Sequence, residues 1–176
     1  MKSELFDIVD ENNKPLEIIK ERSLAHRDGD WHRSVHIYVL NDKDEFLVHL
    51  RASFKDLRPN CWDTRFGGHV LAGDTVGHTA VKELEEEAGI KIEIKDLLKG
   101  VTYKWDGKTN REFNTVYFYK FKKGDVVKFN DNEVVEVKWM SFEEILKLLM
   151  NNPEKWATRA STVQKIYKYW KKLKNS

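Results

Sequence analysis

Residues 67–90 constrain this chain more than any other stretch, because a glycine-rich segment leads directly into a short acidic helix. The stretch reads GGHVLAGDTVGHTAVKELEEEAGI, and Gly89 is placed to end the helix. Spacings of three and four put Glu83, Glu86 and Glu87 on one helix face. Like charges at such spacings repel each other. The face is therefore expected either to meet bulk water or to hold a divalent cation.

The composition bounds the kind of protein. A length of 176 residues fits one domain, and 31 basic against 29 acidic residues give a net charge of +2, which does not suggest a nucleic-acid partner. The single Cys61 excludes an internal disulfide and a cysteine-rich zinc site. No stretch is long and apolar enough for a signal peptide or a membrane span, so we expect a cytoplasmic protein without a membrane partner. The sequence is compatible with a monomer and with a homodimer.

Apolar periodicity predicts a run of strands and then helices, instead of a regular alternation of the two. The predicted strands are Leu5–Val9, Leu16–Ile19, Ser34–Leu40, Phe46–Arg51, Lys91–Ile94, Gly100–Trp105, Phe113–Phe121 and Val134–Met140, with an extended segment at Trp62–Val70. The predicted helices are Thr75–Ala88, a helix from the capping box at Ser141 to about Met150, and Ser161–Leu173. Loops are expected at Ala25–Arg33, Ala52–Cys61 and Gly124–Glu133.

This order of elements indicates an α+β fold with a mixed sheet and helices on its faces. We expect a single domain over residues 1–176. Its parts are an N-terminal hairpin at 1–22, a core at 34–150 and, within 151–176, a C-terminal helix docked on the core.

Carboxylates on adjacent helical turns suit Mg²⁺ or Mn²⁺, since hard cations prefer oxygen ligands and leave positions open for phosphate oxygens. An ion bound in this way neutralises charge on a leaving phosphate while water attacks phosphorus. A glutamate-rich helix by itself is more often a solvated surface. Here the spacing from Gly68 through Asp74 to Ile90 fixes many positions over 23 residues, and it favours a metal site over a solvated surface.

The segment resembles the Nudix box, whose pattern is Gly, five residues, Glu, seven residues, Arg-Glu-aliphatic-any-Glu-Glu-any-Gly-aliphatic. Asp74 stands where the family has glutamate, and Lys82 stands where it has arginine. The resemblance implies an α/β/α sandwich, Mg²⁺ or Mn²⁺ as cofactor, and metal binding by Glu83, Glu86 and Glu87. It also implies that Glu83, Glu86 and Lys82 take part in catalysis, with Lys82 orienting the glutamates by charge.

The N-terminal 120 residues resemble the isopentenyl-diphosphate isomerase-like branch of the family. Those isomerases carry a proton-transferring cysteine where this chain has Gly67, and Cys61 lies six residues too early. They also use a histidine and a later glutamate at the metal. The residues at the corresponding positions of this chain are His69 and Glu112. For both residues a purely structural role is an equal alternative.

Four residues are candidates for contacting a small-molecule diphosphate: Gly68, Arg51, Arg33 and Trp31. Glycine permits close backbone approach, arginine binds phosphate bidentately, and an aromatic face stacks on a base. For Trp31 and the arginines, packing at the core edge or surface is the alternative.

Three functions follow. The first is a metal-dependent hydrolase of a diphosphate linkage in nucleoside di- or triphosphates or related compounds. The second is an isopentenyl-diphosphate isomerase, which the glycine at position 67 disfavours. The third is a non-catalytic nucleotide-binding module, which would have no need of all three glutamates.

Overall fold

The computed structural model describes residues 4–55, 57–107, 110–128 and 133–175, so parts of the predicted 1–22 hairpin and Gly124–Glu133 loop lie outside the described residues. The strands are β1 (Leu5–Val9), β2 (Pro15–Glu21), β3 (Trp31–Leu40), β4 (Phe46–Arg51), β5 (Trp62–Asp63), β6 (Leu98–Asp106), β7 (Arg111–Lys120) and β8 (Val134–Met140). The helices are α1 (Arg22–Asp28), α2 (Val76–Ala88), α3 (Phe142–Asn151) and α4 (Ala160–Lys174), with 3₁₀ turns at Ile94–Asp96 and Pro153–Lys155.

Within the described ranges, the eight strands form one mixed sheet around β3 and β7. These two strands pair in parallel over ten residues, from Trp31 opposite Arg111 to Leu40 opposite Lys120. All other strand pairs are antiparallel: β1 with β2 and β3, β4 with β3, β5 and β8, and β6 with β7. The sheet therefore joins segments about 80 residues apart at its centre.

Helices cover both faces of the sheet because β3 is apolar on both sides. Val35, Ile37 and Val39 pack on the side of α2, with Ala80 and Leu84 among the buried residues of that cluster. Tyr38 and Leu40 face the opposite side, which α3 and α4 cover with Ile145, Leu149, Val163, Ile166 and Trp170. This confirms the predicted α+β fold with a mixed sheet between helices.

Two predicted elements were wrong. Residues 25–33 are not a loop, because α1 runs to Asp28 and β3 already begins at Trp31. The helix is short and polar, buries only Ala25, and ends where Gly29 adopts φ 69°, so periodicity does not reveal it. Residues 91–94 are not a strand, because the chain enters a 3₁₀ turn at Ile94 whose start is capped by Glu93 and Asp96.

The segment 66–70, which comes after β5 in the chain, lies beside β3 and brings its backbone against α2. Phe66 and Ile37 exchange both backbone hydrogen bonds, and Val70 donates to the carbonyl of Arg33. Between them, Gly67 has φ 139°, and a Cβ atom there would lie 2.0 Å from the backbone oxygen of Val35. Only glycine fits this position without displacing the central strand.

The helix α4 docks on the sheet through one face. Trp170 is buried, and its indole N–H donates to a carboxylate oxygen of Asp44 at 3.0 Å. The predicted organisation as a single domain, with a hairpin, a core and a docked C-terminal helix, stays a prediction. Among the described helices, none is both long and apolar enough to cross a membrane.

Replacing Gly67 by alanine is expected to lower the free energy of unfolding by about 3 kcal/mol, because it adds a backbone clash to an unfavourable φ. Gly73→Ala is the matched control, since Gly73 also has positive φ (80°) but a Cβ atom added there would meet no atom within 4 Å. The control should lose only about 1 kcal/mol. Denaturant unfolding measures both, and equal losses would contradict the clash.

Candidate active site

The glutamates of α2 differ in their contacts with the glycine-rich segment. Glu87 is buried and accepts a hydrogen bond of 2.9 Å from the backbone N–H of Gly67. The Glu83 carboxylate lies against Gly68, where an added Cβ would come within 2.7 Å of its Oε1 atom. Glu86 is exposed, and its Oε1 atom lies 3.7 Å from Nζ of Lys82. Glycine at positions 67 and 68 thus lets two carboxylates approach the backbone.

Burial and mutual repulsion oppose ionisation of the Glu83 and Glu87 carboxylates. Burial, reinforced by the charge of Glu86, raises the pKa of Glu83 to about 7. Burial also raises the pKa of Glu87 to about 8, although the hydrogen bond from Gly67 works in the opposite direction. Lys55 and Glu133, which form an ion pair, add smaller effects of opposite sign at both groups. A bound cation would stabilise the ionised form of these carboxylates.

The donor set fits the ion that the sequence predicts. Glu83, Glu86 and Glu87 offer only carboxylate oxygens, which hard divalent cations such as Mg²⁺ and Mn²⁺ prefer. Nζ of Lys82 is 3.7 Å from the Glu86 carboxylate, which is too far for a hydrogen bond, so Lys82 supplies charge alone. The roles of these residues stay predictions, while the structure does bring them together on one face of α2.

Asp74 instead stabilises the start of α2. Its Oδ1 atom accepts from the backbone N–H of Thr75 at 2.8 Å and lies 2.7 Å from Nδ1 of His78. Burial works against ionisation, but these partners keep the pKa of Asp74 below its usual value. The shorter side chain at this position of the box is therefore held by the helix terminus.

A second group of ligand-type residues lies on the other side of the glycine-rich segment. His26, His32 and His69 each offer a ring nitrogen, and the three nitrogens lie within 4.8 Å of one another. Nε2 of His26 and Nε2 of His32 are 3.4 Å apart. Burial is the main cause that lowers the pKa of His26 to about 4 and also lowers the pKa of His32. Three imidazole nitrogens in this arrangement suit a transition metal ion.

Glu112 completes this histidine cluster. Its Oε1 atom lies 3.1 Å from Nε2 of His69 and accepts from the side-chain amide of Asn110 at 2.9 Å. Burial opposes ionisation, but these partners hold the pKa of Glu112 well below its usual range. The structure thus brings the two matched residues, His69 and Glu112, together.

The sequence did not identify His26 or His32 as ligands. They come from α1 and from the start of β3, which the sequence placed together in a loop. Phe6 of β1 stacks on the rings of His32 and His69, each at 4.8 Å between centroids. One signal was present in the sequence: Gly29, because a glycine often follows the last residue of a helix. It would have marked the end of a helix that contains His26.

A cavity of about 1520 Å³ adjoins both groups. Its wall includes Gly67, Gly68, Glu87, His69 and Glu112, and it also includes Arg51. The guanidinium of Arg51 donates to the backbone oxygen of Leu57 at 3.0 Å, so part of its hydrogen-bonding capacity is already used.

Two predicted substrate contacts lie elsewhere. Arg33 donates to the side chain and the backbone of Asn13 at 2.7 and 2.9 Å, which ties β3 to the β1–β2 turn. Trp31 packs on Phe113 with Lys104 above its ring at 5.2 Å. Neither residue belongs to the described wall of the cavity.

Curated relatives of the chain include both hydrolases and isomerases. Nudix hydrolase 3 of Arabidopsis thaliana is 34% identical over 160 residues, which cover 85% of this chain but only 21% of that protein. The chain thus spans about a fifth of the length of that relative. Isopentenyl-diphosphate Delta-isomerase of Pectobacterium atrosepticum is 29% identical over 172 residues, covering 96% of this chain and 94% of the relative.

Among solved structures, DR0079 from Deinococcus radiodurans superimposes with a TM-score of 0.70 at 23% identity, covering 92% of this chain and 98% of that one. At this identity the likeness concerns the fold alone. The family model described as NUDIX domain matches residues 30–161, which is about three quarters of the chain and contains the whole acidic helix. The chain therefore belongs to the Nudix family.

Proposed function

We propose that the protein is a Mg²⁺- or Mn²⁺-dependent hydrolase that cleaves a diphosphate linkage in a small molecule. The observation that carries the proposal is the set of three glutamates on α2, two of which lie against the backbone of Gly67 and Gly68. Membership of the family supports a pyrophosphohydrolase in general. A nucleoside di- or triphosphate or another substituted diphosphate, met in the cytoplasm, would be the substrate.

Each residue then has a defined task. Glu86 and Glu87 would hold the ion, and the N–H of Gly67 fixes the orientation of Glu87. When bound, Mg²⁺ or Mn²⁺ neutralises negative charge on the phosphate groups. Glu83, whose pKa is raised to about 7, is suited to accept a proton from the attacking water near neutral pH. The water oxygen bonds to phosphorus, and the bridging P–O bond breaks.

Arg51 supports the proposal because it lines the same cavity as Glu87. A guanidinium donates to phosphate oxygens in a fixed planar geometry, so it is suited to hold the phosphate chain near α2. Its bond to Leu57 restrains the side chain before substrate binds. Lys82 would act by charge alone, because its ammonium group has no bidentate geometry.

The isomerase alternative is disfavoured by position 67. The backbone there has φ 139°, and any side chain would collide with Val35, so a cysteine does not fit this conformation. The thiol of Cys61 does not substitute for it, because Cys61 is buried and its Sγ atom contacts the backbone oxygen of Glu154 at 3.4 Å.

We expect the histidine cluster to be a second metal centre. His26, His32 and His69 are held by different elements, and Glu112 orients the His69 ring in the manner of an outer-shell carboxylate or an additional ligand. The imidazole donors favour a transition metal over Mg²⁺. This centre would polarise or orient a phosphate group at the same cavity.

Glu86→Gln and Glu83→Gln are each expected to lower kcat by about 100-fold or more, because they remove a metal ligand or the proton acceptor. A phosphate-release screen of diphosphate compounds with Mg²⁺ or Mn²⁺ provides the assay. Glu85→Gln is the matched control, since Glu85 pairs with Lys91 at 3.0 Å and belongs to another face of α2.

Unchanged turnover in the Glu86 and Glu83 variants would contradict the proposal. A complete lack of turnover by the unmodified protein would do the same. Isopentenyl diphosphate serves as a separate substrate, and formation of its allylic isomer would favour the isomerase instead.

Binding of Mg²⁺ or Mn²⁺ is expected to release protons at neutral pH. The pKa values of Glu83 and Glu87 are raised to about 7 and about 8, so both groups are partly protonated at neutral pH. Glu87 must ionise to bind the ion, and the positive charge of the ion favours ionisation of the neighbouring Glu83 as well. Affinity should therefore rise with pH from about 6 to about 8, by up to tenfold per unit for each proton released. Calorimetry in buffers of different ionisation enthalpy measures the release, and no release at pH 7 would refute the assignment.

His26→Gln is expected to lower the affinity for Co²⁺ by about tenfold or more, because it removes one of three imidazole donors. Visible absorption of Co²⁺ and elemental analysis by mass spectrometry report the bound ion. His78→Gln is the control, since that side chain is 67% exposed and lies beside Asp74. The same Co²⁺ spectrum and metal content in the His26 variant would argue against a histidine centre.

A further inference from the structure

Arg65 lies in the wall of the cavity, two residues before Gly67. In an extended segment, alternate side chains point to opposite sides. Phe66 and Val70 pack among the buried residues on the side of α2. Arg65 and His69 instead belong to the wall of the cavity. Gly67 lies between them and has no side chain, so a ligand group at Gly67 would have Arg65 on one side and His69 on the other.

A buried carboxylate supports Arg65 without using its whole guanidinium. The Asp63 side chain is 3% exposed, and its Oδ1 atom accepts a hydrogen bond of 2.8 Å from the backbone N–H of Thr64. Its Oδ2 atom lies 3.7 Å from Nε of Arg65, which is within range of an ion pair but too long for a hydrogen bond. Asp63 therefore leaves N–H groups of the guanidinium available, and 31% of the Arg65 side chain is exposed.

The groups beside Arg65 do not cancel its charge. His36 and Tyr103 line the same cavity, and Nδ1 of His36 lies 3.0 Å from the Tyr103 hydroxyl oxygen. Burial lowers the pKa of His36 well below its ordinary value, and the positive charge of Arg65 acts in the same direction. Burial raises the pKa of Tyr103, so both groups are neutral near pH 7. The Glu112 carboxylate already has two other side-chain partners.

We propose that Arg65 is a substrate-positioning residue, whose guanidinium donates to the non-bridging oxygens of a phosphate group lying at Gly67. This inference rests on the proposed hydrolase function and adds a residue to it. A planar guanidinium binds two phosphate oxygens at once, so it fixes the orientation of the diphosphate as well as its position. Because the N–H of Gly67 holds Glu87, a phosphate group anchored here lies beside the candidate metal ligands of α2.

The test measures binding of methylenediphosphonate, a diphosphate analogue without a hydrolysable linkage, by calorimetry in excess Mg²⁺. Arg65→Gln should weaken binding by about 30-fold, because it removes a charge-assisted bidentate contact. Arg65→Lys should weaken it by about tenfold, because lysine keeps the charge but lacks the planar geometry. Arg58→Gln is the matched control, since Arg58 is an exposed arginine that lines the same cavity, and it should change the affinity by about twofold at most.

A double variant separates a contact with the ligand from a structural role in neutralising Asp63. Arg65→Gln alone leaves a buried carboxylate without its counter-ion and can destabilise the fold. Asp63→Asn/Arg65→Gln removes both charges, and denaturant unfolding should show that it folds. It should nevertheless bind the analogue as weakly as Arg65→Gln, because the donor to phosphate is missing.

Four results would overturn the inference: no binding by the unmodified protein, full affinity in Arg65→Gln, an equal loss in Arg58→Gln, or full affinity in the double variant. The last would show that Arg65 serves only to neutralise Asp63. Because the analogue is not cleaved, the outcome does not depend on turnover. Hydrolysis of diphosphates combined with binding that is independent of Arg65 refutes only the positioning role. Binding that depends on Arg65, without turnover of any diphosphate, supports the contact but refutes the proposed hydrolase.

Discussion

The close contact among β3, the segment 66–70 and α2 is the constraint on which the site depends. Gly67 leaves no room for a side chain against Val35, and its N–H holds Glu87 at 2.9 Å. The backbone of Gly68 in turn lies against Glu83. One short segment therefore fixes the depth of the acidic helix on the sheet and places His69 on the opposite side. A looser fit would separate the two groups of candidate ligands.

The local parts of this arrangement could be predicted from sequence because each has a local cause. The strand Val134–Met140 was predicted with the observed bounds from its alternation, and α3 was predicted from the capping box that Ser141 and Glu144 form. The bounds of α2 follow from Thr75, whose hydroxyl accepts from His78, and from Gly89 in the left-handed region. In each case the determining residues lie within one turn or one strand.

The parts that could not be predicted depend on distant partners. α1 is polar and short, so it gives no periodic signal, and residues 31–33 become a strand because they pair with residues 111–113. The histidine cluster combines α1, β3 and the segment after β5, and no sequence spacing connects these elements. Arginine is a residue type that binds phosphate, yet Arg33 donates to Asn13, which only the folded β1–β2 hairpin brings close to it.

The parallel pairing of β3 with β7 also has a consequence for how the protein matures. These strands lie about 80 residues apart, and their ladder sets Glu112 opposite His32. Contacts between such distant segments form late, since a long loop must close before they are gained. During synthesis the histidines emerge well before their carboxylate partner, so a nascent chain exposes imidazoles without a finished centre. If the histidine cluster binds a metal ion as proposed, binding would be coupled to completion of the sheet, and it would report folding of the central strands as well as occupancy of the site.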